Sequence, residues 1–187
     1  MLRLFKIIGI AKTRLRPEGG GGNYGPNSGG FDQLGFTTLT CTIDKTPIAN
    51  GNYILHNSSS GKVLDNRGST SDGTLVGQWD AQSNNNNQLW TVTYNGGGYY
   101  KLTCATSGKR LDDLGHMTDG SSIGQWRSGA SCNQQWMIVP VGSYYKLVDR
   151  SSGKYLDTGG GGTTDGAVMQ KWLSNPSYNQ QWQFIAH

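Results

Sequence analysis

Residues 177–182 read SYNQQW, and the same ending occurs as NNNQLW at 85–90 and as SCNQQW at 131–136, so that Trp90, Trp136 and Trp182 follow one another at intervals of 46 residues. Outward from each tryptophan the likeness continues. The segments SGKVLD (60–65), SGKRLD (107–112) and SGKYLD (152–157) begin 47 and 45 residues apart. The pairs Asp72-Gly73, Asp119-Gly120 and Asp165-Gly166 are each followed, seven residues after the Asp, by Trp79, Trp126 or Trp172. All six tryptophans thus fall at repeated positions, and a fixed period of this length is the signature of a repeat architecture.

Within a unit the pattern is that of strands. YILHN, YKLTC and YKLVD alternate apolar and polar residues, KVLD, KRLD and KYLD follow an SG turn, TLVGQW, SSIGQW and AVMQKW come next, and a last strand such as QLWTV closes the unit. Four short strands per unit give twelve in all, with repeats at about 49–95, 96–141 and 142–187. Three equal units favour a closed, pseudo-threefold all-β body, because closure leaves no exposed edge strand.

Charge and composition exclude other classes. The formal charge is +4, but Arg3, Lys6, Lys12, Arg14 and Arg16 supply five of the sixteen bases, which leaves eleven bases against twelve acids from position 18 onward. No basic stripe with interleaved aromatics exists there to follow a phosphate backbone, so no nucleic-acid partner is expected. No run approaches the ~18 apolar residues of a membrane span. Residues 1–48 stand outside the repeat. Their basic, apolar start is interrupted by Lys6 and their Gly-rich run from 19 to 30 reads as a linker, or as the remnant of an upstream region such as a fused catalytic domain.

The triple unit Y-x-L, SGKxLD, DG, W, NQxW resembles the ricin B-chain type of β-trefoil lectin and carbohydrate-binding module, whose repeats each end in a QxW motif. The resemblance covers about residues 49–187. It implies a β-trefoil, no cofactor or metal, a monomer, and a carbohydrate partner. It also implies that the Asp after the SGK turn, the aromatic after the DG turn and the Asn before QxW line a shallow sugar pocket. In this chain those residues are Asp65, Trp79 and Asn87, then Asp112, Trp126 and Asn133, then Asp157, Trp172 and Asn179.

Two readings of these residues stay open. Trp90, Trp136 and Trp182 precede alternating apolar residues and read as core, and Gln88, Gln134 and Gln180 as scaffold amides that satisfy buried backbone groups. The Asn could hold a turn, the second set of Trp could be a further ring of core aromatics, and the Asp could be Asx-turn residues. On the sugar reading, an Asp that follows a buried Leu faces outward and accepts paired hydroxyls, the Asn donates and accepts, and the Trp offers a flat apolar face. His116 would then lie in the loop beside the second pocket.

Catalysis is not expected. The single Glu, Glu18, lies in the Gly-rich segment, and His56, His116 and His187 occupy unrelated repeat positions. Cys104 and Cys132 occur together only in the second unit, as a disulfide or as two free thiols. A bridge would stabilise by about 3 to 4 kcal/mol and place the protein in an oxidising, extracellular compartment. Two functions of different class follow: a module holding galactose-, arabinose- or xylose-type glycans in up to three pockets, targeting a secreted glycoside hydrolase, or a β-trefoil interaction domain that binds protein.

Overall fold

A computed structural model describes residues 47–187. The expectations for residues 1–46, with Cys41 and Glu18, lie outside the described residues. The first repeat comprises β1 (Gly51–Asn57), β2 (Val63–Asp65), β3 (Gly77–Trp79) and β4 (Trp90–Gly96). The second comprises β5 (Tyr99–Cys104), β6 (Arg110–Asp112), β7 (Gly124–Trp126) and β8 (Trp136–Val141). The third comprises β9 (Tyr144–Asp149), β10 (Tyr155–Thr158), β11 (Met169–Trp172) and β12 (Trp182–Ala186). All ladders are antiparallel. The first and last strand of each repeat form a six-stranded barrel, paired in the order β1, β4, β5, β8, β9, β12 and back to β1.

The inner strands of each repeat form a hairpin, β2 with β3, β6 with β7 and β10 with β11. The three hairpins meet around the threefold axis. There the N–H of Val76 donates to Ile123 O, that of Ile123 to Met169 O, and that of Met169 to Val76 O, at 2.9 to 3.0 Å, a cycle that satisfies three buried backbone pairs at once. This closure makes the fold a β-trefoil.

The core repeats with the sequence. Leu55, Leu102 and Leu147 point inward from the barrel, Leu64, Leu111 and Leu156 from the hairpins, Val76, Ile123 and Met169 from the axial cycle, and Trp90, Trp136 and Trp182 from the NQxW segments, all fully buried. Each of these indoles is also tethered, its N–H donating to Leu64 O, Leu111 O or Leu156 O at 3.0, 3.1 and 3.4 Å. Ile48, just before the first repeat, is buried in the same cluster and its carbonyl accepts from the Tyr100 hydroxyl.

Successive repeats are joined through the SGK and DG motifs. The Lys of one repeat pairs with the DG Asp of the repeat before it: Lys109 with Asp72 at 2.6 Å, Lys154 with Asp119 at 2.6 Å, and Lys62 with Asp165 at 2.7 Å, which carries the third repeat round to the first. The DG glycine has φ near +80° in each case and lies beneath an indole of the next repeat. A Cβ at Gly73, Gly120 or Gly166 would come 3.2 to 3.5 Å from the ring of Trp126, Trp172 or Trp79.

The seam between the second and third repeats departs from this symmetry. Gln78 and Gln125 are buried and donate to loop carbonyls across their seams, Gly162 O and Ser69 O. In their place the third repeat has Lys171, fully buried, whose ammonium bonds the carboxylate of the equally buried Asp113 at 2.8 Å and the carbonyls of Asp113 and His116. Asp149, at the position of Asn57 and Cys104, closes the group.

Burial, reinforced by the charge of Asp113, pushes the Asp149 carboxyl up to about 7, against hydrogen bonds from Ser152. Its folded pKa lies above the unfolded value near 4, so the folded chain retains a proton that the unfolded chain loses, and stability falls as pH rises through about 4 to 7. At the equivalent position Asn57 donates its amide to Asn179 O at 3.0 Å, whereas Asp149 Oδ1 receives no N–H or O–H among the described residues and its carboxyl lies against that of Asp113. Asp149→Asn is therefore expected to raise the melting temperature at pH 8 and to have little advantage at pH 4. Melting curves at both values check this, and an advantage no larger at pH 8 would count against the buried charge.

Candidate functional site

The Gln of each NQxW segment is a three-way bracket. Its carbonyl oxygen accepts from the N–H of Gln82, Gly129 or Asn175, and its amide donates to the carbonyl of Asp80, Arg127 or Leu173. The same amide donates to the Asp after the SGK turn: Gln88 to Asp65 at 2.9 Å, Gln134 to Asp112 at 2.8 Å, and Gln180 to Asp157 at 2.9 Å. The backbone duty was expected. The bond to the carboxylate was not.

That bond goes with a correction. The alternation in VLD, RLD and YLD places the carboxylates on the face opposite Leu, and they were expected to face solvent, but Asp65, Asp112 and Asp157 are only 4%, 2% and 1% exposed. Alternation fixes which face a side chain takes and not what covers that face. Here the NQxW turn covers it. One carboxylate oxygen takes the Gln amide and the other a second donor, the N–H of Arg67 at 2.5 Å, the N–H of Leu114 at 2.7 Å, or the Gln170 amide at 3.0 Å. Burial pushes the Asp112 and Asp157 carboxyls above their ordinary range, with the Gln amides pulling the other way.

Trp79, Trp126 and Trp172 are 37%, 41% and 40% exposed, so they are not a further ring of the core. In the second repeat Asp112, Trp126, Asn133 and Gln134 line one cavity of about 500 Å³, and in the third Asp157, Trp172 and Asn179 line one of about 260 Å³ together with Gln170 and Asn175. Asn133 donates to Asp112 at 2.7 Å, while the buried side-chain oxygens of Asn133 and Asn179 have no partner. Asn87 differs, since its side-chain oxygen accepts from the Thr106 hydroxyl at 2.8 Å. His116 is exposed and does not line the second cavity.

The bridge between Cys104 and Cys132 is not formed, and both thiols are free. The reason is the one-repeat offset of the seams. The end of a repeat's first strand faces the NQxW turn of the preceding repeat, so the buried Cys104 lies 3.6 Å from Asn86 O, as Asn57 does at Asn179 O. Cys132 is exposed on a 3-10 turn, Cys132–Gln134, that the third repeat meets through the bond from Arg150 N to Gln135 O.

The fold and these cavities define a threefold β-trefoil with repeated, aromatic-walled clefts. The sequence profile of the ricin-type β-trefoil lectin domain-like family matches residues 86–172 and 132–187, and the chain belongs to that family. Membership supports carbohydrate binding as the general activity. Among solved structures, the designed threefold-symmetric protein ThreeFoil is 41% identical over 74% of this chain and 100% of its own, with a TM-score of 0.71. An exo-β-1,3-galactanase from Clostridium thermocellum is 33% identical over 75% of this chain and 31% of its own, at 0.70. The Macrolepiota procera ricin B-like lectin, solved with lactose, shares the fold at 24% identity over 75% of this chain and 99% of its own, at 0.65. No curated protein matches the chain.

Proposed function

We propose that the chain is a non-catalytic carbohydrate-binding module that holds galactose-, arabinose- or xylose-type glycans in up to three shallow pockets, and that it targets a secreted glycoside hydrolase to its substrate. The observation that carries this reading is the pairing, in the second and third repeats, of a buried and fixed carboxylate with a half-exposed indole on one cavity. A pyranose ring needs both, an acceptor for hydroxyls and a flat face for its C–H bonds. The likeness to about a third of a galactanase fits a module attached to an enzyme. Residues 1–48 are then the connection to such an enzyme, and residues 49–187 the binding domain.

A shallow pocket that contacts one ring binds a monosaccharide at about 1 mM, whereas a polymer engaging two pockets gains ~100-fold or more in avidity. Affinity electrophoresis through soluble arabinoxylan or galactan tests this with Trp79→Ala, Trp126→Ala and Trp172→Ala, alone and combined. Retardation is expected to fall in steps. Abolition by one substitution, with no effect of the other two, would leave a single working pocket. A folded protein that binds nothing on a glycan array would favour the protein-interaction reading.

Asp112→Ala or Asp157→Ala is expected to weaken binding at its own pocket by about 1.5 to 3 kcal/mol, the range for hydrogen bonds to charged groups. Because burial raises both carboxyls, protonation on acidification removes the charged acceptor above the ordinary Asp range. Isothermal titration from pH 7 to pH 4 is expected to show affinity falling before the ordinary aspartate range is reached. An affinity constant down to pH 4, or titrations of both variants that match the parent, would remove these carboxylates from the site.

A further inference from the structure

The third pocket has a neighbour that the other two lack. Where the first and second repeats have Asn86 and Cys132, the third has Tyr178, which is 65% exposed. Its backbone is nonetheless fixed, at the start of a 3-10 turn, Tyr178–Gln180, with Gln181 N donating to Tyr178 O at 2.9 Å. A second cavity of about 660 Å³ lies there, lined by Ser59, Pro176, Ser177 and Tyr178. It shares Gly160, Gly161 and Asn179 with the cavity of Asp157 and Trp172.

The shared wall is low for a reason written in the loop. From the SGK-turn Asp to the DG Asp the first two repeats count seven residues and the third eight, and the third loop is TGGGG at 158–162. Arg67 and Leu114 lay their side chains over Gly77 and Gly124, while the third repeat has Gly159 at this position. Gly160 and Gly161 have φ of +60° and +70°, and a Cβ on either would meet nothing within 4 Å. The insertion thus leaves only glycine backbone of this loop between the cavity at Trp172 and the one at Tyr178. Asn179 lines both cavities, and Ser59 and Ser177 bring hydroxyl-bearing side chains to the second.

We infer that the third site is a two-ring cleft, in which Tyr178 stacks on the sugar next to the one seated at Asp157 and Trp172, so that this site selects a chain over a single sugar. The inference rests on the proposal that the Asp and Trp cavities bind sugar. A tyrosine suits the task, since two side-chain torsions fix a large amphipathic face at little entropic cost.

The test isolates the third site with Trp79→Ala and Trp126→Ala, and compares xylose with xylotriose and galactose with lactose by isothermal titration. Adding Tyr178→Ala is expected to lower affinity for the binding oligosaccharide about tenfold more than for its monosaccharide, and Tyr178→Phe to restore it. Equal affinities for monosaccharide and oligosaccharide before that change, or no differential loss after it, would overturn the two-ring cleft and leave the Trp172 pocket standing. If Trp172→Ala leaves sugar binding in this background intact, or none of these sugars binds the parent protein, the pocket itself fails and the cleft with it.

Discussion

Trp136→Ala is expected to lower stability by about 3 to 5 kcal/mol, the usual cost of truncating a large core aromatic. The indole is fully buried and donates to Leu111 O, so its removal leaves both a void and a hairpin carbonyl without its partner. The same loss is expected for Trp90 and Trp182, because each fills the same place in its own repeat. Thermal unfolding followed by circular dichroism checks this, with a fall in Tm of roughly 10 to 20 °C for a domain of this size. A variant that melts with the parent would take these residues out of the core. Trp126→Ala is the control, since its ring is 41% exposed.

The second large effect is expected at the one charged seam. Lys171→Gln leaves Asp113 as a buried carboxylate without its counter-ion, and Asp113→Asn leaves a buried ammonium, and each is expected to cost about 3 to 5 kcal/mol. Joining the two changes restores the residue types of the seam between the first and second repeats, Asn66 with Gln125, and most of the loss should return. A double-mutant cycle by urea unfolding measures the coupling. If the losses simply add, Lys171 and Asp113 do not stabilise the seam as a pair.

The fold was legible because the residues that repeat are those that make it. Trp90, Trp136 and Trp182 recur at 46 residues because the barrel needs one such indole per unit, and the alternation of YKLTC is that of a half-buried strand, β5. Asp112, Trp126 and Asn133, and Asp157, Trp172 and Asn179, which line the two cavities, stand out in the sequence by the same recurrence. Their surroundings do not. The covering of Asp65, Asp112 and Asp157 depends on a turn more than twenty residues away, and no local pattern reports it. Cys104 and Cys132 share a repeat in sequence but face different repeats in space, and co-occurrence alone hides that offset. The signals that were available lay in the departures from symmetry: QKW where two repeats have GQW announces both Gln170 at the pocket and Lys171 at the seam, and SYN where the others have NNN and SCN announces Tyr178.

The Lys to Asp joints carry a lesson for anyone recombining such domains. Each ion pair takes one residue from one repeat and its partner from the repeat before, and the third pair returns to the start. The natural module for exchange is thus not the repeat as it is written along the chain, from tyrosine strand to NQxW. It is the interval from the middle of one repeat to the middle of the next. Cutting within the hairpin loops keeps Asp72 with Lys109 and Asp119 with Lys154 on one inherited segment each, whereas Lys171 and Asp113, 58 residues apart, part company under either scheme and have to be carried over as a pair.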